Sequence, residues 1–169
     1  FGISASIKYN LKTKIMKLGK LSLLLFLGIA LLAGCSNDDD NSEMVNIEST
    51  LIAKDNLFGN GDEGIIEQNL EITDQNTFDN LISQMNIVNN VSDSFSEIDI
   101  DFSQYKVIAI FDEIRENGGH SLELNIMSNS ENIIVNITDV VPEGNATTVI
   151  TQPFHIVKIS NSDLPIIFE

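Results

Sequence analysis

The run Tyr105-Lys106-Val107-Ile108-Ala109-Ile110-Phe111 restricts the fold more than any other stretch of this chain. Successive residues of a strand point to opposite faces. A strand that is apolar at nearly every position must be covered on both sides, which requires a layered architecture. The neighbouring segments indicate what the layers are. Leu122, Leu124 and Ile126 alternate with polar residues, and Ile133, Val135 and Ile137 do so again after a turn at Ser128-Asn129-Ser130. A period of two marks strands with one wet face. Residues 45–52 alternate more weakly and read as another half-buried strand, and 66–72 as a further one. Residues 147–152 and 154–159 read as two strands broken by Pro153, which suits an edge or a bulge. Pro165-Ile166-Ile167-Phe168 is a last short strand.

One segment keeps a different period. Phe78, Leu81, Ile82 and Met85 stand at i, i+3, i+4 and i+7, one face of a helix. Thr73 or Asp74 can cap its start by accepting from unpaired N–H groups. Residues 86–96 are polar and read as a loop. Gly59-Asn60-Gly61-Asp62 and Pro142-Glu143-Gly144-Asn145 read as turns, and Gly118-Gly119 as a break. The expected class is α+β, mainly β: a curved antiparallel sheet or sandwich with one packed helix. No repeat or Pro/Gly-rich linker divides 45–169, so these residues form a single β-rich domain.

The N-terminal part has another character. Residues 1–15 carry no patterned apolar face and read as an upstream artefact before Met16. Lys17 and Lys20 then precede a 13-residue apolar run, 21–33, interrupted by Ser22 and Gly28. Thirteen helical residues span roughly 20 Å, against a bilayer core of about 30 Å. The run is short for a span and has the length of a signal-peptide core, so 16–34 reads as a signal peptide. Leu32-Ala33-Gly34-Cys35 closes it and resembles the lipobox of bacterial lipoproteins. That resemblance implies a diacylglyceryl group on the Cys35 thiol, cleavage just before it and acylation of the new amine. No cofactor is expected besides this lipid. Cys35 is the only cysteine, so no disulfide can form within the chain. Residues 35–44 are polar and acidic and read as a disordered tether. Ser36-Asn37-Asp38-Asp39-Asp40 resembles the surface-export signal of some Gram-negative lipoproteins. It implies an outer-membrane, lipid-anchored protein at the cell surface.

Charge excludes one class of partner. All 25 acidic residues follow Cys35, whereas only Lys54, Lys106, Arg115 and Lys158 follow it among the cations, giving 4 − 25 = −21. Such a surface repels nucleic acid and anionic lipid. Its first role is solubility, and its second is attraction for a cation or a basic partner.

A resemblance covers about residues 100–168. Ile100-Asp101-Phe102-Ser103 leads into the apolar strand, followed by Gly118-Gly119-His120-Ser121-Leu122. Thr151-Gln152-Pro153-Phe154-His155-Ile156-Val157 and Pro165-Ile166-Ile167-Phe168 come later. This order resembles the C-terminal domain of the PrcB family, named after a lipoprotein subunit of a bacterial surface protease complex. The resemblance implies a non-catalytic subunit that assembles or stabilises another surface protein, a protease. The family often has Pro-Thr before the glycines and an aromatic residue after them, where this chain has Glu116-Asn117 and His120.

Candidate partner-binding loops are therefore Asn117, Gly118, Gly119 and His120, together with Pro153, Phe154 and His155. Glycine lets a backbone approach closely, and it equally serves a tight turn. His120 and His155 lack a carboxylate at ligand spacing, so no metal site is expected. Asp99, Asp101, Asp112 and Glu113 read as a solvated acidic face before a calcium site, and 55–64 fails the EF-hand spacing at Leu57. No Gly-x-Ser-x-Gly elbow is present, and His120 and Ser121 are strand neighbours facing opposite ways. The expectation is a binding protein and not an enzyme. The alternative is a protease inhibitor resembling the chagasin type, with wedge loops at Asn117-Gly118-Gly119 and Pro153-Phe154. A carbohydrate-binding role ranks third, because 35–169 has no Trp and only Tyr105 as tyrosine.

Overall fold

The computed structural model describes residues 43–142, 144 and 147–169. The upstream segment, signal peptide, Cys35 and nearly all of the tether lie outside the described residues, as do Glu143 and Asn145 of the expected turn. The described part is a two-sheet sandwich with a helix on one outer face. Its elements are β1 (Val45–Asn46), β2 (Ser49–Leu57), β3 (Gln68–Ile72), α1 (Gln75–Met85), β4 (Tyr105–Phe111), β5 (Ser121–Ser128), β6 (Ile133–Val140), β7 (Gln152–Ser160) and β8 (Ile166–Phe168). A 3-10 turn, Val91–Ser94, lies in the expected loop after α1. One sheet has the order β1-β5-β6-β8 and the other β2-β7-β4-β3. The pairings are antiparallel except for β6 with β8.

Strand β4 is where the layers meet. Val107, Ala109 and Phe111 pack with Phe78, Leu81 and Met85 of α1, while Ile108 and Ile110 pack with Leu122, Ile126, Ile133 and Val135 of the other sheet. Both of its faces are covered, as its composition demands. Strand β7 does the same, with Phe154 and Ile156 toward the helix and Val157 and Ile159 toward the second sheet. Fully burying one such side chain contributes about 1.5–3 kcal/mol.

Helix α1 starts where its cap does. An Asp74 carboxylate oxygen accepts the Thr77 N–H at 2.9 Å, and the other accepts the Thr77 hydroxyl at 2.7 Å. These bonds, the hydroxyl one foremost, hold the Asp74 carboxyl below its ordinary pKa. Phe78, Leu81 and Met85 are buried, and Ile82 is half-buried at the margin of the core.

Two expectations are corrected. Residues 45–52 are not one strand. Val45 and Asn46 pair with β5, the Ile47 N–H donates to the Ile126 carbonyl at 2.9 Å, and from Ser49 the chain pairs with β7 in the other sheet. The burial pattern is irregular across the crossing: Val45 and Leu51 are exposed, and Ile52 and Ala53 are both buried. A bulge at Ile52 follows, where Leu51 pairs with Val157 and Ala53 with Ile156. Pro153 also does not break a strand. β7 runs through it in the interior of its sheet, between β2 and β4. Residues 147–150 belong to no strand, and Thr151 makes an isolated bridge to Arg115. The proline is tolerated because β4 has ended at Phe111. Asp112 donates its N–H to the Pro153 carbonyl at 3.0 Å, and the Asp112 carbonyl accepts the Gln152 side-chain amide at 2.8 Å.

Candidate functional site

Strand directions bring loops 58–67 and 112–120 and the described residues of 141–151 to one end of the sandwich. The end of β4, the end of β2 and the starts of β3 and β7 lie side by side in one sheet. The start of β5 faces the end of β6 in the other. The chain enters β1 opposite Ser128, at the far end of β5.

Arg115, the only arginine of the chain, braces this end. Its Nε donates to Asp112 at 2.8 Å, Nη1 to Glu113 at 2.8 Å and Nη2 to Asp139 at 3.2 Å. Burial opposes the guanidinium charge. The hydrogen bond and charge of Asp112, then Asp139 and Glu113, outweigh it and raise the Arg115 pKa above its ordinary value. Asp139 extends the network to His120, whose Nδ1 lies 3.2 Å from the carboxylate. Backbone bonds close the loops: Arg115 and Thr151 exchange N–H donors at 2.7 and 3.0 Å, and Gly118 donates to the Thr147 carbonyl at 3.0 Å. Gln152, 2% exposed, donates from one amide nitrogen to the Ile65 and Asp112 carbonyls and so ties the first loop to the second.

The expected partner-binding residues divide. Gly119 is exposed, Asn117 and His120 are half-buried, and Gly118 is buried. The Asn117 carbonyl accepts the Thr151 hydroxyl at 3.1 Å, so that loop is held from behind. Gly119 has φ +92°, and a Cβ there would stand 2.8 Å from Cβ of Pro142. Gly119→Ala should therefore lower stability by about 1–2 kcal/mol, from left-handed strain and the clash together. A urea-unfolding midpoint equal to that of the parent would contradict it.

Pro153, Phe154 and His155 are corrected outright as loop residues. They are strand residues, and Phe154 is 0% exposed against Phe111 and Phe95. The reason is the period: Phe154 and Ile156 share the helix-facing side of a central strand. Pro153 and Phe154 accordingly do not project as a wedge. The two histidines are held by different partners, His155 through Nδ1 to the Leu122 carbonyl at 2.8 Å. Asp101 takes bonds from Ser103 and Gln104 at the start of β4, whereas Asp112 and Glu113 bind Arg115 beyond its end. Among the described residues no group of three His, Cys, Asp or Glu is placed to hold a metal ion.

Burial pushes the His155 pKa below its ordinary 6.5. The Lys54 ammonium acts in the same direction, while the Leu122 bond and Glu123 oppose it. Below 6.5 the unfolded chain binds a proton that the folded protein resists, so the unfolded state gains protons first. The stabilisation is complete above this value and is lost as pH falls from it through the lower pKa of the folded state. Urea midpoints measured between about pH 7.5 and 5.5 should fall more steeply for the parent than for His155→Gln. Parallel slopes would show that His155 contributes nothing there.

Arg115, Asp139 and Gln152 were not singled out by sequence reasoning. A lone arginine among Asp112, Glu113 and Glu116 was the available signal for the first; nothing in the sequence pointed to the other two. Comparison of the chain with protein-family models, curated proteins and solved structures finds no match.

Proposed function

We propose that this chain is an outer-membrane lipoprotein, anchored through lipid on Cys35, that serves as a non-catalytic binding or assembly subunit for another cell-surface protein. The PrcB-like order of segments makes a protease the first partner class to test. The observation that supports the reading is the placement of the three braced loops. They sit at the opposite end of β5 from the point where the chain enters at Val45. Eight strand residues span roughly 25 Å, so the loops stand about that far along β5 from Val45, where the described strands begin. Two or three acyl chains on one residue make such an attachment stable without a transmembrane helix. Among the described residues no helix is long and apolar enough to cross a membrane.

The test joins mass spectrometry of the native protein with cross-linking in its own membranes. The expected results are a diacylglyceryl-modified Cys35 at the mature N-terminus, release of Cys35→Ser into the soluble fraction, and one recurrent cross-linked surface protein. An unmodified thiol on an uncut chain, or a strictly solitary protein, would defeat the proposal.

A further inference from the structure

The loop end is apolar and acidic together. Phe58, Ile66, Ile114, Val141, Val149 and Ile150 are each between 41% and 74% exposed there. The first two loops touch, since a Cβ on Gly61 would stand 2.6 Å from Cδ1 of Ile114. Ile150 lies opposite Glu116 where Arg115 bridges Thr151. Around these side chains stand the exposed carboxylates of Asp55, Asp62, Glu67, Glu113 and Glu116. Beside Phe58 a shallow, open surface depression of about 380 Å³ is lined by Asp55, Asn56, Asn90 and Asp93 among others. Phe58 is half exposed at its edge.

Among the described residues every lysine and arginine is already paired with a carboxylate. Lys54 is paired with Glu123, Lys106 with Glu71, Lys158 with Glu97, and Arg115 with Asp112, Glu113 and Asp139. Neutralisation must come from counterions or from a partner.

We infer that the loop end docks a protein segment in which lysine or arginine flanks an aliphatic or aromatic side chain. This deepens the binding-subunit reading and rests on it. The apolar side chain packs on the exposed apolar side chains of this end, Phe58 among them. A basic side chain lies over the depression between Asp55 and Asp93, beside the half-exposed Phe58, where the side-chain oxygen of Asn56, which has no protein partner, accepts one of its N–H groups. Apolar centre and charged rim are the usual division of labour at a docking surface, and complementary charge speeds the encounter.

The test is a selection from a random dodecapeptide library displayed on phage, against the lipidated protein in zwitterionic nanodiscs, with empty nanodiscs subtracted. Enriched peptides should combine Lys or Arg with Leu, Ile, Phe or Trp. Their binding should weaken about ten-fold or more for Phe58→Ser and for the pair Asp55→Asn with Asp93→Asn. The pair Asp99→Asn with Glu131→Gln, exposed elsewhere, should bind like the parent, and thermal unfolding should show all variants folded. Enriched peptides without basic residues, binding indifferent to the Phe58 and Asp55/Asp93 changes, or no enrichment would overturn the inference. If Cys35 is lipidated and a surface protein is cross-linked while these results fail, only the inference falls. If the cysteine is bare or the protein solitary, the anchored-subunit reading falls whatever the library selects.

Discussion

Replacing Phe154 by alanine is expected to lower the unfolding free energy by about 3–5 kcal/mol, in the range of buried aromatic truncations. The ring is fully buried, with centroids 6.1 Å from Phe111 and 6.3 Å from Phe95. It lies where β7, β4 and the segment after α1 meet, so its loss removes contacts from all three and leaves a cavity that a close-packed sheet cannot collapse. Thermal unfolding should move down by roughly 10 °C or more for a domain of this size. Phe154→Leu, which keeps most of the volume, should lose much less. The pair of variants separates a core role from a docking role. If Phe154→Ala left the unfolding transition in place and abolished partner binding, the strand assignment of Phe154 would be wrong.

Gln152→Leu is expected to cost about 2–3 kcal/mol, although it replaces a buried polar side chain by an apolar one of similar size. The single amide nitrogen serves the Ile65 carbonyl at 3.0 Å and the Asp112 carbonyl at 2.8 Å. Leucine leaves both acceptors without that donor. The loss is partly offset because the Gln152 side-chain oxygen has no protein partner of its own. Hydrogen exchange should reveal where the effect lands. Amides of loops 58–67 and 112–120 should exchange faster, while those of β5 and β6 should keep their protection. Uniform loss of protection across both sheets would mean that Gln152 supports the whole core and not the joint between two loops.

Much of the fold was legible wherever one residue pattern had one physical explanation. The apolar run of β4 predicted two covered faces, and the two core clusters cover them. The spacing of Phe78, Leu81 and Met85 predicted the buried face of α1, and Asp74 fulfilled one of the two caps considered. The alternations of β5 and β6 located those strands within a residue or a few at each end. The site was legible only at Asn117–His120, where consecutive glycines announced a turn. Pro153-Phe154-His155 misled because proline was taken to end a strand. The Gln152 side-chain amide donates to the Asp112 carbonyl, just past the end of β4, in place of the N–H that proline lacks, and that pairing is not visible from the local sequence.

By itself the chain determined the helix α1, the strands β4, β5 and β6 and the apolar faces of α1 and β4, because those depend on neighbours within a few residues. Its charge count determined that residues after Cys35 carry a large net negative charge. The tertiary structure alone decided that residues 45–52 serve two sheets, that Arg115 gathers Asp112, Glu113 and Asp139, and that three loops distant in sequence share one end. Those outcomes depend on strand order and direction, which hydrogen bonds between remote segments settle and no local periodicity encodes.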